Sequence, residues 1–300
     1  MKIIHTGDLD ISYNMNEEKE YRLKCFLNEI EKSDADLLVI AGDIVETGIE
    51  KNYEKASEVL GKINIETILV PGNHDFYYGG NVPFSSYFYD LQTALDIDGI
   101  HVRGKKFKKP LFISDNYMLI GICTARRDES GGVIGHGQHI VTESLFKKYG
   151  NEKYKILVMH HHLLPIPIGG LENNIIKDVG DIIRMISDCS IDLVLTGHQH
   201  HPWACRHSSG INEMHCATVL TCGSPTMNTL RGFRYNSYNI IRINDESRNL
   251  EEAYVKVLTG EWKEKNMIPM EEFVKIPPMS HRDFIRSEYA HYLEGYVGEH

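Results

Sequence analysis

The sequence predicts an α/β fold, because short apolar strands alternate with amphipathic helices along most of its length. The predicted strands of the first part are apolar on both faces, which is typical of a largely parallel sheet covered on both sides. Toward the carboxyl-terminal side, three strands follow one another with only turns between them, which indicates antiparallel pairing. We therefore expect a mixed α/β domain that begins with parallel strands and ends with antiparallel ones.

The first part of the chain shows the clearest alternation of strand and helix patterns. Helix 17–32 has apolar residues near helical spacing and acidic residues in its first turn. The pattern weakens after residue 75, where we expect a loop at 76–80 and a helix at 87–95. The predicted elements before that point are strands at 2–5, 36–40 and 67–70 and helices at 17–32 and 51–63.

The second part of the chain resumes the alternation. Thr142 is expected to cap a helix at 143–149. The glycine-rich segment 131–137 could form a lid beside a site or a plain connection, and the sequence leaves both open. The other predicted elements are strands at 117–121, 155–159, 192–195, 218–220, 237–243 and 254–258 and a helix at 181–188.

The domain organisation is expected to be simple, because no stretch resembles a linker. Residues 1–259 are expected to form one domain. Residues 260–300 are charged, carry Pro277-Pro278 and are expected to form a partly helical tail. The tail could pack on the domain or on a partner, including a second copy of the chain in a homodimer.

Composition narrows the classes of partner. The net charge of −10 argues against bulk binding of a nucleic-acid backbone. No apolar run is long enough to span a bilayer, and the chain starts in a strand pattern rather than a signal peptide. We therefore expect a cytoplasmic protein without a membrane partner.

The six cysteines are scattered and form no Cys-x-x-Cys pair, so reduced thiols are expected. One group could hold zinc: Cys205, His207, His215 and Cys216. Its spacing is unlike that of common zinc modules, and Ser208-Ser209-Gly210 is typical of a hairpin tip. The hairpin is the favoured interpretation.

Potential metal ligands follow five of the predicted strands. Because ligands bind at the carboxyl ends of strands in open α/β sheets, we expect these side chains to converge on one rim. A single residue of this kind after a strand is more often a turn residue, but five strand ends with the same chemistry favour a site. The candidates are Asp8, Asp10, Asp43, Asn73, His74, His160, His198 and His200.

The chemistry of this set predicts two metal ions. Histidine nitrogens mixed with carboxylate and amide oxygens suit Mn²⁺, Fe, Zn²⁺ or Co²⁺ rather than calcium or copper. Seven or eight ligands are too many for one ion, whereas two ions that share a carboxylate use them all. Asp43 is the natural bridge, because its two oxygens can face two metals.

The ordered motifs resemble those of the calcineurin-like metallophosphoesterases, from Lys2 to about Ile243. The resemblance implies a four-layer α-β-β-α sandwich of two mixed sheets flanked by helices. The motifs are Asp8-Leu9-Asp10, Gly42-Asp43-Ile44-Val45-Glu46, Gly72-Asn73-His74-Asp75, His160-His161-His162 and Gly197-His198-Gln199-His200. A finer similarity, of Cys222-Gly223-Ser224-Pro225 to the branch related to cyclic-nucleotide phosphodiesterases, is weak.

The resemblance also implies roles. His74 would stay off the metals as an acid that faces the substrate, and Asp75 could orient it or cap the following turn. His161 and His162 would be neighbours of the ligands. One ion would take Asp8, Asp10, Asp43 and His200, and the other would take Asp43, Asn73, His160 and His198.

The first motif departs from the family pattern. The family usually has Asp-x-His, and here the second member is Asp10. A carboxylate can still ligate, and its hard oxygen favours Mn²⁺ or Fe over Zn²⁺. Alternatively Asp10 does not reach the ion and the first site is weaker.

The expected function is therefore metal-dependent hydrolysis of a phosphoester by a hydroxide between two ions, with residues 1–259 as the catalytic domain. A small-molecule or nucleotide substrate is favoured, cleaved by phosphodiesterase or phosphatase activity. Arg126 and Arg127 could contact a phosphate, and Tyr77 or Tyr78 could stack on a base. The alternatives are a DNA or RNA nuclease, which the acidic balance disfavours, and a non-catalytic interaction scaffold with a degraded metal site.

Overall fold

The computed structural model describes residues 1–91, 110–165, 175–208, 215–230, 233 and 235–258. Within these ranges strands and helices alternate as the sequence predicts. The strands are β1 Lys2–Thr6, β2 Leu37–Ala41, β3 Glu66–Val70, β4 Leu111–Ile113, β5 Tyr117–Gly121, β6 Tyr154–Val158, β7 Leu193–Thr196, β8 Trp203–Ser208, β9 Cys216–Thr221, β10 Asn236–Ile243 and β11 Leu250–Leu258. The helices are α1 Glu17–Lys32, α2 Glu50–Leu60, α3 Asn73–Phe76, α4 Asn81–Tyr87, α5 His136–Tyr149 and α6 Val179–Asp188.

The strands form two mixed sheets. One has the order β11-β10-β1-β2-β3, and the other has the order β4-β5-β6-β7-β9-β8. In the first sheet β1, β2 and β3 are parallel, while β10 pairs antiparallel with both β1 and β11. In the second sheet β5, β6, β7 and β9 are parallel, and β4 and β8 are antiparallel edge strands. The carboxyl ends of β1, β2 and β3 therefore lie side by side, as do those of β6 and β7.

In the described part of the chain, three apolar cores separate four layers. The first lies between one sheet and its helices, where Phe26 of α1 and Tyr53 of α2 pack. The second fills the space between the sheets and includes Val39 of β2 and Ile156 of β6. The third lies beneath the other helices and includes Phe146 of α5. The expected α-β-β-α sandwich is confirmed.

Two local predictions on the first sheet's side are wrong. The helix expected at 87–95 is replaced by α4, which ends at Tyr87, and residues 92–109 lie outside the described ranges. The loop expected at 76–80 is a short helical segment, because α3 continues into a 3-10 turn over Tyr77–Gly79.

Thr142 is not a helix cap. Helix α5 begins at His136, so Thr142 lies inside it, where its hydroxyl donates to the Gln138 carbonyl oxygen at 2.8 Å. The segment before α5 behaves as a plain connection, since Val133 N–H donates to Thr124 O and Lys177 N–H donates to Gly132 O.

The three carboxyl-terminal strands do not form one meander. Strand β9 belongs to the second sheet and runs parallel to β7, whereas β10 and β11 form an antiparallel pair in the first sheet. The predicted hairpin is confirmed, because β8 pairs antiparallel with β9, with its tip outside the described ranges. Strand β4, with only three residues, was not predicted.

The predicted tail 260–300 lies entirely outside the described residues. No helix within the described ranges combines the length and apolarity that crossing a bilayer requires.

Candidate metal centre

The candidate ligands converge where five parallel strands end. Asp8 and Asp10 follow β1, Asp43 follows β2, and Asn73 opens α3 directly after β3. From the second sheet, His160 follows β6, and both His198 and His200 follow β7. The structure thus brings side chains from residue 8 to residue 200 to one rim shared by the two sheets.

One group of contacts centres on Asp8. Its carboxylate accepts a hydrogen bond from the backbone N–H of His198 at 3.0 Å. The imidazole Nε2 of His200 lies 3.4 Å from Asp8 Oδ1. Asp8 and His200 therefore face each other across the gap between the first and second sheets.

A second group centres on His160. Its Nε2 lies 3.0 Å from Asn73 Oδ1, 3.1 Å from His198 Nδ1 and 3.3 Å from Asp43 Oδ2. Asp8, Asp43 and His160 also place ligand atoms within 4.8 Å of one another. Asp43 thus contributes to both groups, in the position that a bridging carboxylate would take.

Backbone carbonyls fix the tautomers of two of these histidines. His160 donates Nδ1–H to Ala41 O at 2.8 Å, and His200 donates Nδ1–H to Thr229 O at 2.7 Å. The Nε2 of each neutral ring then carries a lone pair that points at carboxylate or amide oxygens. Acceptors that face acceptors at about 3 Å need a proton or a metal cation between them.

The electrostatics lead to the same requirement. Asp8, Asp10 and Asp43 are all but completely buried, and buried carboxylates are stable only when paired with positive charge. Burial would raise the pKa of Asp43, but positively charged His160 and His74 outweigh it and hold that pKa well below its usual range. The same pairing raises the pKa of His160 to about 9, although burial opposes it.

Backbone strain is concentrated at these positions. Left-handed conformations are unfavourable for residues with a side chain by roughly 1–2 kcal/mol, and they cluster at functional sites. The candidates that adopt them are Asp8 (φ 53°), Asp10 (φ 45°), Asp43 (φ 48°), His198 (φ 73°) and His200 (φ 53°).

Two glycines allow the strand ends to approach. Gly42 has φ +89°, and a Cβ there would lie 2.4 Å from His160 Nδ1. At Gly72 a Cβ would lie 2.1 Å from Asp43 Oδ1. Neither position accepts a side chain without moving a candidate ligand.

His74 sits at the open side of the cluster. Its side chain is 29% exposed, whereas that of Asp10 is 0% exposed. His74 Nδ1 donates to Asp10 Oδ1 at 2.7 Å, and Nε2 lies 4.0 Å from Asp43 Oδ2. Burial would lower the pKa of His74, but the carboxylates of Asp43 and Asp10 raise it to about 10.

Asp75 does not contact the His74 ring in this structure. Its carboxylate accepts hydrogen bonds from the backbone N–H groups of Ile44, Val45 and Gly72 at 2.8–3.0 Å. It thereby caps the first turn of α3 and ties the loop after β2 to the loop after β3. Burial and the charge of Asp43 raise the pKa of Asp75 to about 7, against these three donors.

Several residues that support the site were not singled out from the sequence. Ser224 donates to Asp8 O at 2.6 Å, and Thr226 donates to Leu9 O at 2.8 Å, which anchors the first motif. Only the Cys222-Gly223-Ser224-Pro225 similarity pointed to this segment. The Thr229 carbonyl that orients His200 carries no side-chain signal, so the sequence could not reveal it.

His161 lies beside the ligands, with both ring nitrogens engaged. Nε2 donates to Ser130 O at 3.1 Å, and Nδ1 accepts from the Thr124 hydroxyl at 2.8 Å. Burial and the nearby charge of His160 lower the pKa of His161 to about 3. A neutral, fully bonded ring fits a supporting neighbour.

The residues considered for substrate contact differ in exposure. Tyr77 is tied to the site, because Asn73 Nδ2 donates to its hydroxyl at 3.0 Å. Tyr78 is 76% exposed, and its N–H donates to Asp128 Oδ1 at 2.9 Å. The guanidinium of Arg127 lies beside Gly79, and that of Arg126 lies beside Gly135.

The donor set fits divalent cations. Buried oxygens and imidazole nitrogens converge without enough protons to satisfy one another, and Asp10 Oδ2 is buried with no hydrogen-bond partner in the described part of the chain. Nitrogen and oxygen donors of this kind suit Mn²⁺, Fe, Zn²⁺ or Co²⁺. Among the residues that the structure describes, three overlapping groups have the geometry to hold an ion: His160 with His161 and His198, Asp8 with Asp43 and His160, and Asp10 with Asp43 and His74.

A sequence relative carries the same kind of domain within a longer protein. One of the two subunits of the nuclease SbcCD from Staphylococcus epidermidis is 25% identical over 255 residues, which are 78% of this chain and 65% of that protein. The chain therefore spans less than two thirds of the length of this relative.

Solved structures share the fold. A dimetal phosphatase from Danio rerio superposes with a TM-score of 0.60 at 12% identity, covering 86% of this chain and 95% of that one. GAP50, the anchor in the inner membrane complex of Plasmodium, superposes with a TM-score of 0.54 at 12% identity, covering 90% and 88%. At such low identity these structures support the fold alone.

The model of the calcineurin-like phosphoesterase family matches residues 1–202. That range contains all the strand ends from which the candidate ligands project, and it covers more than half of the chain. The chain belongs to the calcineurin-like phosphoesterase family.

Proposed function

We propose that the protein is a phosphoester hydrolase with two divalent metal ions, with a phosphodiesterase or phosphatase activity on small-molecule or nucleotide substrates. The observation that carries the proposal is the convergence of buried carboxylates and imidazoles from both sheets around the shared carboxylate of Asp43. Residues 1–259 are the proposed catalytic domain.

The proposed ligand sets follow the two groups of contacts. Asp43 would serve both ions. Asp8, Asp10 and His200 would complete one set, and Asn73, His160 and His198 would complete the other. Mn²⁺ is the favoured ion, with Fe, Zn²⁺ or Co²⁺ as alternatives, because Asp10 adds a hard oxygen where the family usually has histidine.

When bound, the ions would activate water for attack and neutralise charge on the phosphoryl oxygens. The chain's own residues provide the remaining steps. Carbonyl-fixed His160 and His200 hold their Nε2 lone pairs in place without rearrangement. His74 Nε2 is the atom that can give a proton to the departing alkoxide, a contribution of about 10²–10⁴ in rate.

Nucleotide substrates are supported by Tyr78. Its ring is 76% exposed four residues after His74, and its backbone holds φ 55°. An exposed aromatic ring on a strained turn beside a catalytic centre is a surface on which a base can stack. Arg127, 73% exposed nearby, could contact a second phosphate.

The test is a substrate panel with purified protein freed of metal and reloaded with Mn²⁺, Fe²⁺, Zn²⁺ or Co²⁺. The substrates are bis-p-nitrophenyl phosphate, p-nitrophenyl phosphate, cyclic nucleotides and single-stranded DNA. We expect metal-dependent hydrolysis that favours small diesters or monoesters and disappears in Asp43→Asn. If the metal-loaded protein cleaves none of these substrates, the hydrolase proposal fails and an interaction scaffold is favoured.

A nuclease is the second candidate, because the chain is similar to part of a nuclease over 255 residues. The net charge of −10 weighs against it. Efficient cleavage of single-stranded DNA in Mn²⁺, with little activity on small diesters, would establish the nuclease instead.

A further inference from the structure

We infer that Asp10 positions His74 through one carboxylate oxygen while the other oxygen faces a metal ion, so that the proton donor is held by the metal centre itself. This inference rests on the proposed function of the site. It assigns to Asp10 a role beyond that of a replacement ligand.

The two oxygens of Asp10 have different surroundings. Oδ1 accepts the Nδ1–H of His74 at 2.7 Å, whereas Oδ2 is buried and has no hydrogen-bond partner among the described residues. The side chain is 0% exposed, so water does not solvate the second oxygen from the outside. A buried carboxylate oxygen with no donor is suited to a cation.

The backbone holds Asp10 in this place. Its N–H donates to the carbonyl oxygen of Asp43 at 3.0 Å, and the next residue, Ile11, donates to Ile44 O at 2.8 Å. Ile11 and Val45 also form an isolated parallel bridge. The motif that carries Asp10 is therefore attached to the motif that carries Asp43, and the carboxylate is aimed by both.

Only a carboxylate can perform both tasks at this position. A histidine that binds an ion through one ring nitrogen keeps an N–H on the other, and that N–H cannot accept a hydrogen bond from His74. A carboxylate has two acceptor oxygens and can serve an imidazole and an ion at once. The departure from Asp-x-His thus changes what residue 10 can do.

The consequence concerns the His74 ring. With Nδ1–H donated to Asp10, the ring is fixed in one orientation and Nε2 faces the open side of the site. Asp10 is a positioning residue in this scheme, since it acts on the substrate only through His74.

The experiment separates the two tasks with Asp10→Asn and Asp10→His. Asp10→His restores a metal-binding side chain but removes the acceptor for His74, while Asp10→Asn weakens both tasks. The matched control is Asp192→Asn, whose carboxylate accepts the Lys155 N–H at 2.7 Å at the other end of the second sheet. All variants are compared with His74→Gln.

Three readouts are collected on the full chain at one fixed pH. Calorimetric titration with Mn²⁺ gives the number and affinity of bound ions. Long-range proton–nitrogen NMR gives the tautomer of His74, whose signals are assigned by their loss in His74→Gln. The ratio of kcat for bis-p-nitrophenyl phosphate to kcat for diphenyl phosphate gives the demand for a proton donor, because phenoxide is the poorer leaving group.

We expect Asp10→Asn to lower the Mn²⁺ affinity about 10–100-fold. We expect Asp10→His to bind both ions and yet to lose the fixed His74 tautomer. Its kcat ratio should rise toward that of His74→Gln, which loses a donor worth about 10²–10⁴ on the poor leaving group. The double variant Asp10→His/His74→Gln should show little further loss.

Three results overturn the inference. They are unchanged Mn²⁺ affinity in Asp10→Asn, an unchanged His74 tautomer in Asp10→His, and a kcat ratio in Asp10→His equal to that of the wild-type protein. Failure of the proposed function is distinguishable, because it appears as a wild-type protein that hydrolyses neither diester, and the titration and NMR still decide the role of Asp10.

Discussion

At the scale of single residues, the candidate ligands occupy backbone conformations that only a strongly constrained loop maintains. Gly42 precedes Asp43 with φ +89° and lies against His160. Its lack of a side chain is as necessary to the site as the side chains of the ligands.

We therefore predict that Gly42→Ala destabilises the fold and weakens metal binding together. A left-handed alanine costs about 1–2 kcal/mol, and its Cβ would lie 2.4 Å from His160 Nδ1. Urea unfolding and Mn²⁺ titration measure the two effects. In the control Gly180→Ala, where a Cβ meets nothing within 4 Å in α6, stability should rise by up to about 1 kcal/mol. Equal behaviour of the two variants would contradict the prediction.

A second prediction at this scale concerns acid stability. His5 in β1 is fully buried, and its Nδ1 accepts a hydrogen bond from Asn239 Nδ2 at 3.2 Å. Burial lowers the pKa of His5 to about 3, compared with about 6.5 in the unfolded chain. Between these values only the unfolded chain binds the proton, so stability falls as pH falls, by up to about 1.4 kcal/mol per pH unit.

His5→Gln removes this titration. The stability of the wild-type protein relative to His5→Gln should therefore decline by about 2 kcal/mol between about pH 7 and pH 5. Urea unfolding at each pH measures the difference. The exposed His136 provides the control variant His136→Gln, for which we expect a constant difference. A constant difference for His5→Gln as well would mean that His5 titrates alike in both states.

At the scale of structural elements, Asp75 joins the turn that carries Asn73 to the loop that carries Asp43. We predict that Asp75→Asn lowers stability by about 2–4 kcal/mol, because one buried acceptor oxygen is replaced by an NH₂ group that faces backbone donors. Mn²⁺ affinity should fall with it, since both loops hold candidate ligands.

The matched control is Asp178→Asn. Asp178 accepts the N–H groups of Ile134 and Gly135 at 3.0 and 2.8 Å, which makes a similar clamp outside the candidate ligand loops. This variant should lose stability while keeping its Mn²⁺ affinity. Unfolding curves and calorimetry separate the two cases, and retained Mn²⁺ affinity in Asp75→Asn would show that the clamp does not position the ligands.

The elements also show what the sequence can and cannot predict. Buried strands such as β5 and the long helix α1 were found at their observed bounds, because their periodicity is strong and local. The start of α5 was missed, since Gly135 and His136 lack a capping side chain. The sheet membership of β9 was missed because strand pairing is set by tertiary packing, which local patterns do not encode.

The candidate site was predicted in composition but not in its internal partners. Parallel strands bring their carboxyl ends together, so convergence could be expected. The pairing of His74 with Asp10 instead of Asp75 depends on the left-handed turn at Asp10 and the capping geometry of α3. Neither feature has a sequence signal of its own.

At the scale of the whole molecule, the cluster of buried carboxylates makes stability depend on cations. We predict that removing metal with a chelator lowers the thermal midpoint and that Mn²⁺ at 100 times its dissociation constant restores about 2.7 kcal/mol per site. Calorimetric scans with and without Mn²⁺ measure this. Asp43→Asn should show little response, and a full response in that variant would exclude Asp43 as a shared ligand.

The rim unites side chains from residue 8 to residue 200 and from both sheets of the sandwich. No stretch emerging early in synthesis can assemble it, since β7 and the histidines after it arrive when most of the domain already exists. Cation uptake would thus report the final docking of the two halves. A partly made or proteolysed chain would stay chemically silent, which limits unwanted cleavage of phosphoesters by immature protein.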